Sequence, residues 1–196
     1  MGGIPSLLGE FGLPFDLDGG RAYRTGNFDK HEKALAAYHE ALDSSGLSST
    51  IWNYTADNTN ERGDGWNGED LSIYSVDQSG LPLPEGADPK EAGGRAIRGF
   101  CRPYPRATAG NPVSFRFDPK NGSLKYRFRP DPSIPAPTEL YLPPIHYPRG
   151  CRVEVNGGDF ELNLPGRLLR VRADPGAAEV VVRVRRPDGR PGDSRQ

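Results

Sequence analysis

From Asn111 the apolar residues change to a period of two, and that periodicity limits this half of the chain to short strands. Val113, Phe115 and Phe117 alternate with Ser114 and Arg116, and Leu124, Tyr126 and Phe128 alternate with Lys125, Arg127 and Arg129. A period of two places one set on one face of a strand, whereas a helix would scatter it around its axis. Asn121-Gly122 separates the two runs and is the strongest short hairpin signal. Thr138 to Leu142 reads as a further strand. Cys151-Val153-Val155 and Phe160-Leu162-Leu164 read as a hairpin across Asn156-Gly157-Gly158. Leu168 to Ala173 and Val180-Val182-Val184 read as another across Asp174-Pro175-Gly176. About seven short strands joined by tight turns predict an antiparallel β-sandwich over residues 99–185. The last stretch, 186–196, is Pro, Gly and charge. It is expected to be a disordered, solvated tail rather than a nucleic-acid arm.

The first half follows a different rule. Ile4 to Gly12 is an apolar run bounded by Pro and Gly and interrupted by a single acid, Glu10. Such a run reads as a strand buried on both faces. A carboxylate at the end of a buried strand needs a reason, because an unpaired buried charge is costly. In a (β/α)8 barrel that reason is catalysis, since active-site residues stand at the C-terminal ends of the strands. The alternative is a strand end whose Glu10 turns to solvent. Gly9 and Gly12 let the backbone turn and let a ligand approach closely. A loop, Leu13 to Gly26, precedes a helix that Asn27 can cap and Gly46 ends. Phe28, Leu35, Tyr38 and Leu42 share one face of that helix. A second strand, Ser48 to Tyr54, carries Trp52 and completes a β-α-β unit with a parallel sheet.

A long polar loop, Thr55 to Gly68, then holds Asp57, Asn58, Asn60, Glu61, Asp64, Trp66 and Asn67. A loop of this length inside a compact domain is usually functional or disordered. A Trp among Asn and Asp suits stacking on a sugar ring or a base, the alternative being a Trp that pins the loop to the body of the protein. Beyond it come a Pro-rich connector, Gly80 to Pro89, and a short helix within Ala92 to Cys101 ended by Pro103 and Pro105.

Composition removes several function classes. The net charge is −1 over 196 residues, which gives no general push towards nucleic acid or an anionic membrane. No run approaches 18 apolar residues, so no membrane-spanning insertion is expected. The N-terminus lacks a charged region followed by an apolar one, which leaves the compartment open with cytoplasm as the default. Met1-Gly2 with Ser6 fits the myristoylation pattern, but Ile4 to Leu8 are better used as a strand. Cys101 and Cys151 are too few for a disulfide scaffold and fit buried small apolar positions at least as well as a bridge. There is no Gly-rich phosphate loop, metal-ligand spacing or nucleophile-elbow pattern, so neither a metal nor another cofactor is expected. His31, His39 and His146 read as structural or exposed.

Three stretches together resemble one family. Gly9-Glu10-Phe11-Gly12 with Pro14-Phe15-Asp16 is similar to the strand-seven nucleophile region of glycoside hydrolase family 5. The subgroup it resembles holds the endoglycoceramidases and the related glucosylceramide and steryl-glucoside β-glucosidases. Trp52-Asn53-Tyr54, with Gly63-Asp64-Gly65-Trp66-Asn67-Gly68-Glu69-Asp70-Leu71-Ser72, resembles the strand-eight region. Arg102-Pro103-Tyr104-Pro105 and Thr138-Glu139-Leu140-Tyr141-Leu142-Pro143 resemble the junction to the group's C-terminal sandwich. The Trp-Asn-Gly-Glu-Asp-Leu-Ser run is the specific part; Gly-Glu-Phe-Gly alone would be weak.

The resemblance implies an α+β chain: the last two β-α units of a (β/α)8 barrel in residues 1–98, then the sandwich. It implies a retaining β-glycosidase acting on a glycolipid, with two carboxyl groups about 5–5.5 Å apart. Glu10 would be the nucleophile and Trp52 the floor under the sugar, while Trp66, Asn67 and Glu69 could contact its hydroxyls. The family's acid/base is a Glu following Asn at the end of strand four. No Asn-Glu stands in such a context here, because Asn60-Glu61 lies in the loop after the second strand. The chain is therefore expected to be a C-terminal fragment, inactive alone, whose partners are its glycoside substrate and the missing N-terminal barrel segment. The competing reading is a non-catalytic sandwich that binds carbohydrate or serves as an accessory module.

Overall fold

The computed structural model describes residues 6–187. Its contacts divide the chain into two units, Met1–Cys101 and Arg102–Gln196. The architecture is mixed and sheet-rich, with few helices. Ile4 and Pro5, and the tail from residue 188 on, lie outside the described residues.

In the first unit β1 (Leu7–Phe11) pairs in parallel with β2 (Ser48–Ile51), and these two strands form a sheet of their own. Between them run α1 (Leu17–Thr25) and α2 (Asp29–Ser45). The expectation of a strand buried on both faces is corrected: β1 is exposed over Leu7 to Glu10 and half-buried only at Phe11. Among the described residues a two-stranded sheet has one packed face, so apolar Leu7 and Leu8 remain 62% and 41% exposed. The predicted loop over 13–26 holds α1 instead. Asp18, Gly19 and Gly20 take left-handed backbone angles, which kink the segment before its helical turn. Two of the three are glycine, the residue that adopts this conformation without a Cβ clash.

Helix α2 ends as its sequence requires, on Gly46 in the left-handed conformation. Its start differs by one residue. Phe28 occupies the cap position, and Asn27, one residue earlier, accepts a hydrogen bond from the Asp29 N–H at 2.9 Å. Phe28, Leu35 and Leu42 are buried, while Tyr38 stays half-exposed. Phe28 and Leu35 join Leu13, Phe15, Ala22 and Ala96 in an apolar cluster, on which Phe11 and Ile51 pack from the sheet. Of the helix predicted within 92–101, a single turn forms, α3 (Ile97–Phe100).

The second unit is two four-stranded antiparallel sheets. One has the order β4 (Gly110–Asp118), β5 (Ser123–Pro130), β10 (Val180–Arg185), β7 (Arg152–Asn156). The other runs β3 (Tyr104–Ala107), β6 (Thr138–Tyr141), β9 (Leu168–Ala173), β8 (Gly158–Asn163). Phe117, Leu124, Tyr126, Phe128, Val180, Val182 and Val184 of the first sheet share one buried cluster with Leu140, Leu169 and Val171 of the second. Each such side chain contributes about 1.5–3 kcal/mol on burial.

Two of the predicted hairpins are corrected. β7 and β8 belong to different sheets, and so do β9 and β10. Asn156-Gly157-Gly158 and Asp174-Pro175-Gly176 carry the chain from one sheet to the other. A Cβ on Gly157 would meet the Glu179 carbonyl oxygen at 2.6 Å, and one on Gly158 would meet that of Arg172 at 2.3 Å. These glycines therefore mark a backbone crossing closely over its neighbours. The hairpins that form are β4–β5, across Asn121-Gly122 as expected, and β8–β9, where the Arg167 N–H closes on Leu164 O at 2.9 Å. β3 was unforeseen because Pro105 cannot donate to a ladder; as an edge strand it needs no second partner.

Candidate active site

Parallel strands place both C-terminal ends on one side of the sheet, so β1 and β2 end together. Phe11 and Ile51 are Cα partners, and the Trp52 N–H donates to the Phe11 carbonyl at 2.7 Å. Between Leu8↔Ser49 and Phe11↔Ile51 the register slips by one. Gly9 and Glu10 together therefore face Thr50, a bulge in β1 whose Gly9 carbonyl accepts from the Thr50 hydroxyl.

Side chains alternate across a strand, and two residues at the strand ends face α2 and its apolar cluster. Phe11 lies edge-on to Tyr38 and His39 of α2, at 5.9 and 5.3 Å between ring centroids. Ile51 packs against the same apolar cluster. By alternation Glu10, next before Phe11, falls on the opposite face of β1 from Phe11. The second strand, expected over Ser48 to Tyr54, ends at Ile51, so Trp52 lies one residue beyond it. Glu10 is exposed and Trp52 is 38% exposed. Among the described residues the Glu10 carboxylate has no hydrogen-bond or ion-pair partner.

The two glycines beside Glu10 divide in role. A Cβ on Gly12 would meet the Trp52 carbonyl oxygen at 2.1 Å, so Gly12 serves the approach of the Trp52 backbone rather than that of a ligand. Gly9 has open space around it.

Trp66, Asn67 and Glu69 are all exposed, Trp66 by 59%. An indole so exposed does not pin its loop. The loop is held by Asp64, whose carboxylate accepts from the Trp66 N–H at 2.9 Å, the Leu71 N–H at 3.3 Å and the Asn53 side-chain amide at 2.9 Å. Asn53 directly follows Trp52, across a cis peptide bond, and its own N–H donates to the Leu71 carbonyl at 3.2 Å. The loop is thus tied to the end of β2. Among the described residues no hydrogen bond, ion pair or ring contact joins Trp66, Asn67 or Glu69 to Glu10 or Trp52.

Sequence reasoning passed over what lies beneath this loop. Arg95 is fully buried and bonds both Asp70 oxygens through Nη1 at 2.8 Å, with Asp70 3% exposed. The same guanidinium donates to Gln78 Oε1 at 2.9 Å, Asn60 Oδ1 at 2.7 Å and the Ser72 carbonyl at 3.3 Å. It lies over the rings of Tyr23 and Phe15, at 4.8 and 5.5 Å. Asp70 also accepts from the Tyr23 hydroxyl and from the Asn58 amide at 2.8 Å. Burial, and then the hydrogen bond to Asp70, push the Tyr23 phenol far above its ordinary value, which keeps it a donor. Tyr23 and Asn60 also line an open cavity of about 600 Å³ with Asp16, Arg24 and Glu61.

The histidines pack against rings: His31 stacks on Phe15 at 5.1 Å, and His146 meets Phe117 edge-on at 4.9 Å. Both cysteines are free, and burial pushes the Cys151 thiol up to about 11. No helix among the described residues is long and apolar enough to cross a membrane.

Residues 102–185 match the glycoside hydrolase family 5 C-terminal domain. Over 155 residues the chain is 36% identical to a glucosylceramidase of Rhizopus delemar, covering 75% of this chain and 23% of that one. Among solved structures it is similar to sterylglucosidase 1 of Cryptococcus neoformans, with a TM-score of 0.83 and 35% identity over 96% of this chain and 30% of that one. It is also similar to endo-glycoceramidase II of Rhodococcus sp., described as a lactosyl-enzyme intermediate. There the TM-score is 0.63 and the identity 25%, over 94% of this chain and 34% of that one. The chain thus spans less than a third of the length of the glucosylceramidase it matches.

Proposed function

We propose that this chain, whose residues 102–185 are a glycoside hydrolase family 5 C-terminal domain, is the nucleophile-bearing end of a retaining β-glycosidase acting on a glycolipid. β1, α2 and β2 stand for the last two β-α units of a (β/α)8 barrel, and residues 99–185 for the sandwich that follows it. The substrate is a glucosylceramide or a steryl β-glucoside, the classes named in two relatives. One observation supports the reading: β1 and β2 are adjacent and parallel, so Glu10, near the end of β1, and Trp52, next after β2, come together, with the Trp52 N–H donating to the Phe11 carbonyl at 2.7 Å.

The chemistry follows from that pairing. The Glu10 carboxylate attacks the anomeric carbon of a glucosyl ring resting on Trp52. The bond to the aglycone oxygen breaks, and a glycosyl ester forms on Glu10. The departing oxygen takes its proton from a second carboxyl group, and water later hydrolyses the ester with that same group as base. A relative captured as a lactosyl-enzyme intermediate supports a covalent route for this group. Trp66, Asn67 and Glu69 contact hydroxyls of the sugar in this reading. The second carboxyl group comes from a preceding barrel segment.

The test joins this chain to the part of sterylglucosidase 1 that precedes its match. The joined enzyme should cleave glucosylceramide or a steryl glucoside, and Glu10→Gln should lower kcat by about 10³-fold or more. An activated 2-fluoroglucoside should add its sugar mass to the peptide holding Glu10. The chain alone should leave an aryl β-glucoside intact. Turnover by the Gln variant, or labelling elsewhere, sinks the assignment.

A second reading, a carbohydrate-binding module without turnover, is favoured by Tyr104 and Tyr141. Their rings lie 5.4 Å apart on paired strands, with Tyr104 49% exposed. Glycan binding lost in Tyr104→Ala and kept in Glu10→Gln would select it.

A further inference from the structure

A buried ion pair is a poor stabiliser by itself, since desolvation offsets much of the attraction. Arg95 and Asp70 therefore call for a role beyond adding stability. Their side chains are 0% and 5% exposed, and their partners come from separate segments. Tyr23, Phe15 and the Phe15 N–H belong to the segment after β1, and that N–H donates to the Asp70 carbonyl at 2.7 Å. Asn58, Asn60 and Ser72 belong to the segment after β2. Gln78 follows in a 3-10 turn. Arg95 itself is held by its N–H on the Ile73 carbonyl at 2.7 Å. One guanidinium thus joins the segments that leave both strand ends.

We propose that Arg95 and Asp70 are positioning residues of the glycosidase site proposed above, a reading on which this inference rests. They fix the loop that presents Trp66, Asn67 and Glu69 relative to the strand ends bearing Glu10 and Trp52. The coupling is short. Asp70 directly follows Glu69, whose N–H donates to the Trp66 carbonyl at 3.0 Å and whose own carbonyl accepts from Asp64 N at 3.3 Å. Asp64 then fastens the loop to Asn53 beside Trp52. A planar, five-donor fork meets acceptors on four residues at once here, which an ammonium group in the same place cannot do.

The first arm uses the whole chain and amide hydrogen exchange. In Arg95→Lys, protection at Trp66, Glu69 and Leu71 should fall at least tenfold, while α2 and the sandwich strands keep theirs. Unchanged protection in the loop overturns the proposal. If Arg95→Lys unfolds the first unit, Tyr23→Phe carries the test, because it removes one hydroxyl and leaves the ion pair. Its loop protection should fall about threefold, and no change overturns the proposal. The second arm uses the joined enzyme. Tyr23→Phe should lower kcat severalfold with KM held within about twofold, a split that mere loss of folded protein does not mimic in active-site-titrated enzyme. An unchanged kcat overturns the proposal. If the parent joined enzyme has no turnover, the glycosidase reading falls, and the exchange arm still decides whether the clasp sets the loop.

Discussion

The largest fully buried side chain of the first unit is an arginine; in the sandwich it is a tyrosine, followed by phenylalanine and leucine. The sandwich closes two sheets over apolar faces, which is an area effect without direction. The first unit gathers its segments around one guanidinium, which depends on angles, charges and the presence of every partner. The difference teaches which unit should tolerate change. Apolar packing degrades by increments as volume is lost, whereas a buried charge network fails when one member is removed.

The largest effect expected from that contrast is in Asp70→Ala. It leaves the Arg95 guanidinium buried without its counter-charge, at a cost of about 3–5 kcal/mol. Calorimetry should show the transition of the first unit lost or moved far down, and that of the sandwich in place. If both transitions move together, the two regions are one cooperative unit and the comparison breaks.

Next comes Leu169→Ala, from the centre of the sandwich, where Leu169 is fully buried. It should cost about 2–5 kcal/mol, depending on how far the cavity collapses. Here the sandwich transition should drop and leave the exchange protection of the Trp66 loop unchanged. A loss of loop protection in this variant would mean that the Arg95 network leans on the sandwich core.

The two halves also differed in how legible they were. The period-two runs around Asn121-Gly122 specify β4 and β5, because alternation and a tight turn are local properties. Whether a tight turn folds a strand back in its own sheet or passes it to the facing sheet is not local. That is why Gly157-Gly158 and Pro175-Gly176 read as hairpins. Glu10 and Trp52 were proposed from motifs, and β1 and β2 from pattern, with β2 ending three residues earlier than expected; the exposure of β1 follows from what flanks it in space. Arg95 carried no signal: it sits between Gly94 and Ala96 in a stretch that read as helix. Asp70 was passed over for its neighbour Glu69, since sequence alone does not tell which of two adjacent acids turns inward. A pair 25 residues apart becomes visible only when the chain is folded.

The smallest expected effect sharpens the comparison through pH. His31 is 4% exposed, stacked on Phe15, and its pKa is lowered below the ordinary 6.5 by burial first and by the nearby Arg95 charge second. Asp18 pulls the other way, more weakly. A depressed folded-state pKa means that the unfolded chain binds the proton more readily. The stability that His31 contributes is present above about 6.5 and is lost as pH falls towards the folded value. The first unit should therefore melt at lower temperature at pH 5.5 than at pH 7.5, and His31→Phe should flatten that slope. Glu32 acts in the opposite sense. Burial raises its carboxyl above 4.5, so its contribution grows as pH falls. The readout is therefore the difference between the parent chain and His31→Phe at each pH. A slope equal in both would show that protons enter the first unit elsewhere, and the arginine-centred core would then not be what makes this half pH-sensitive.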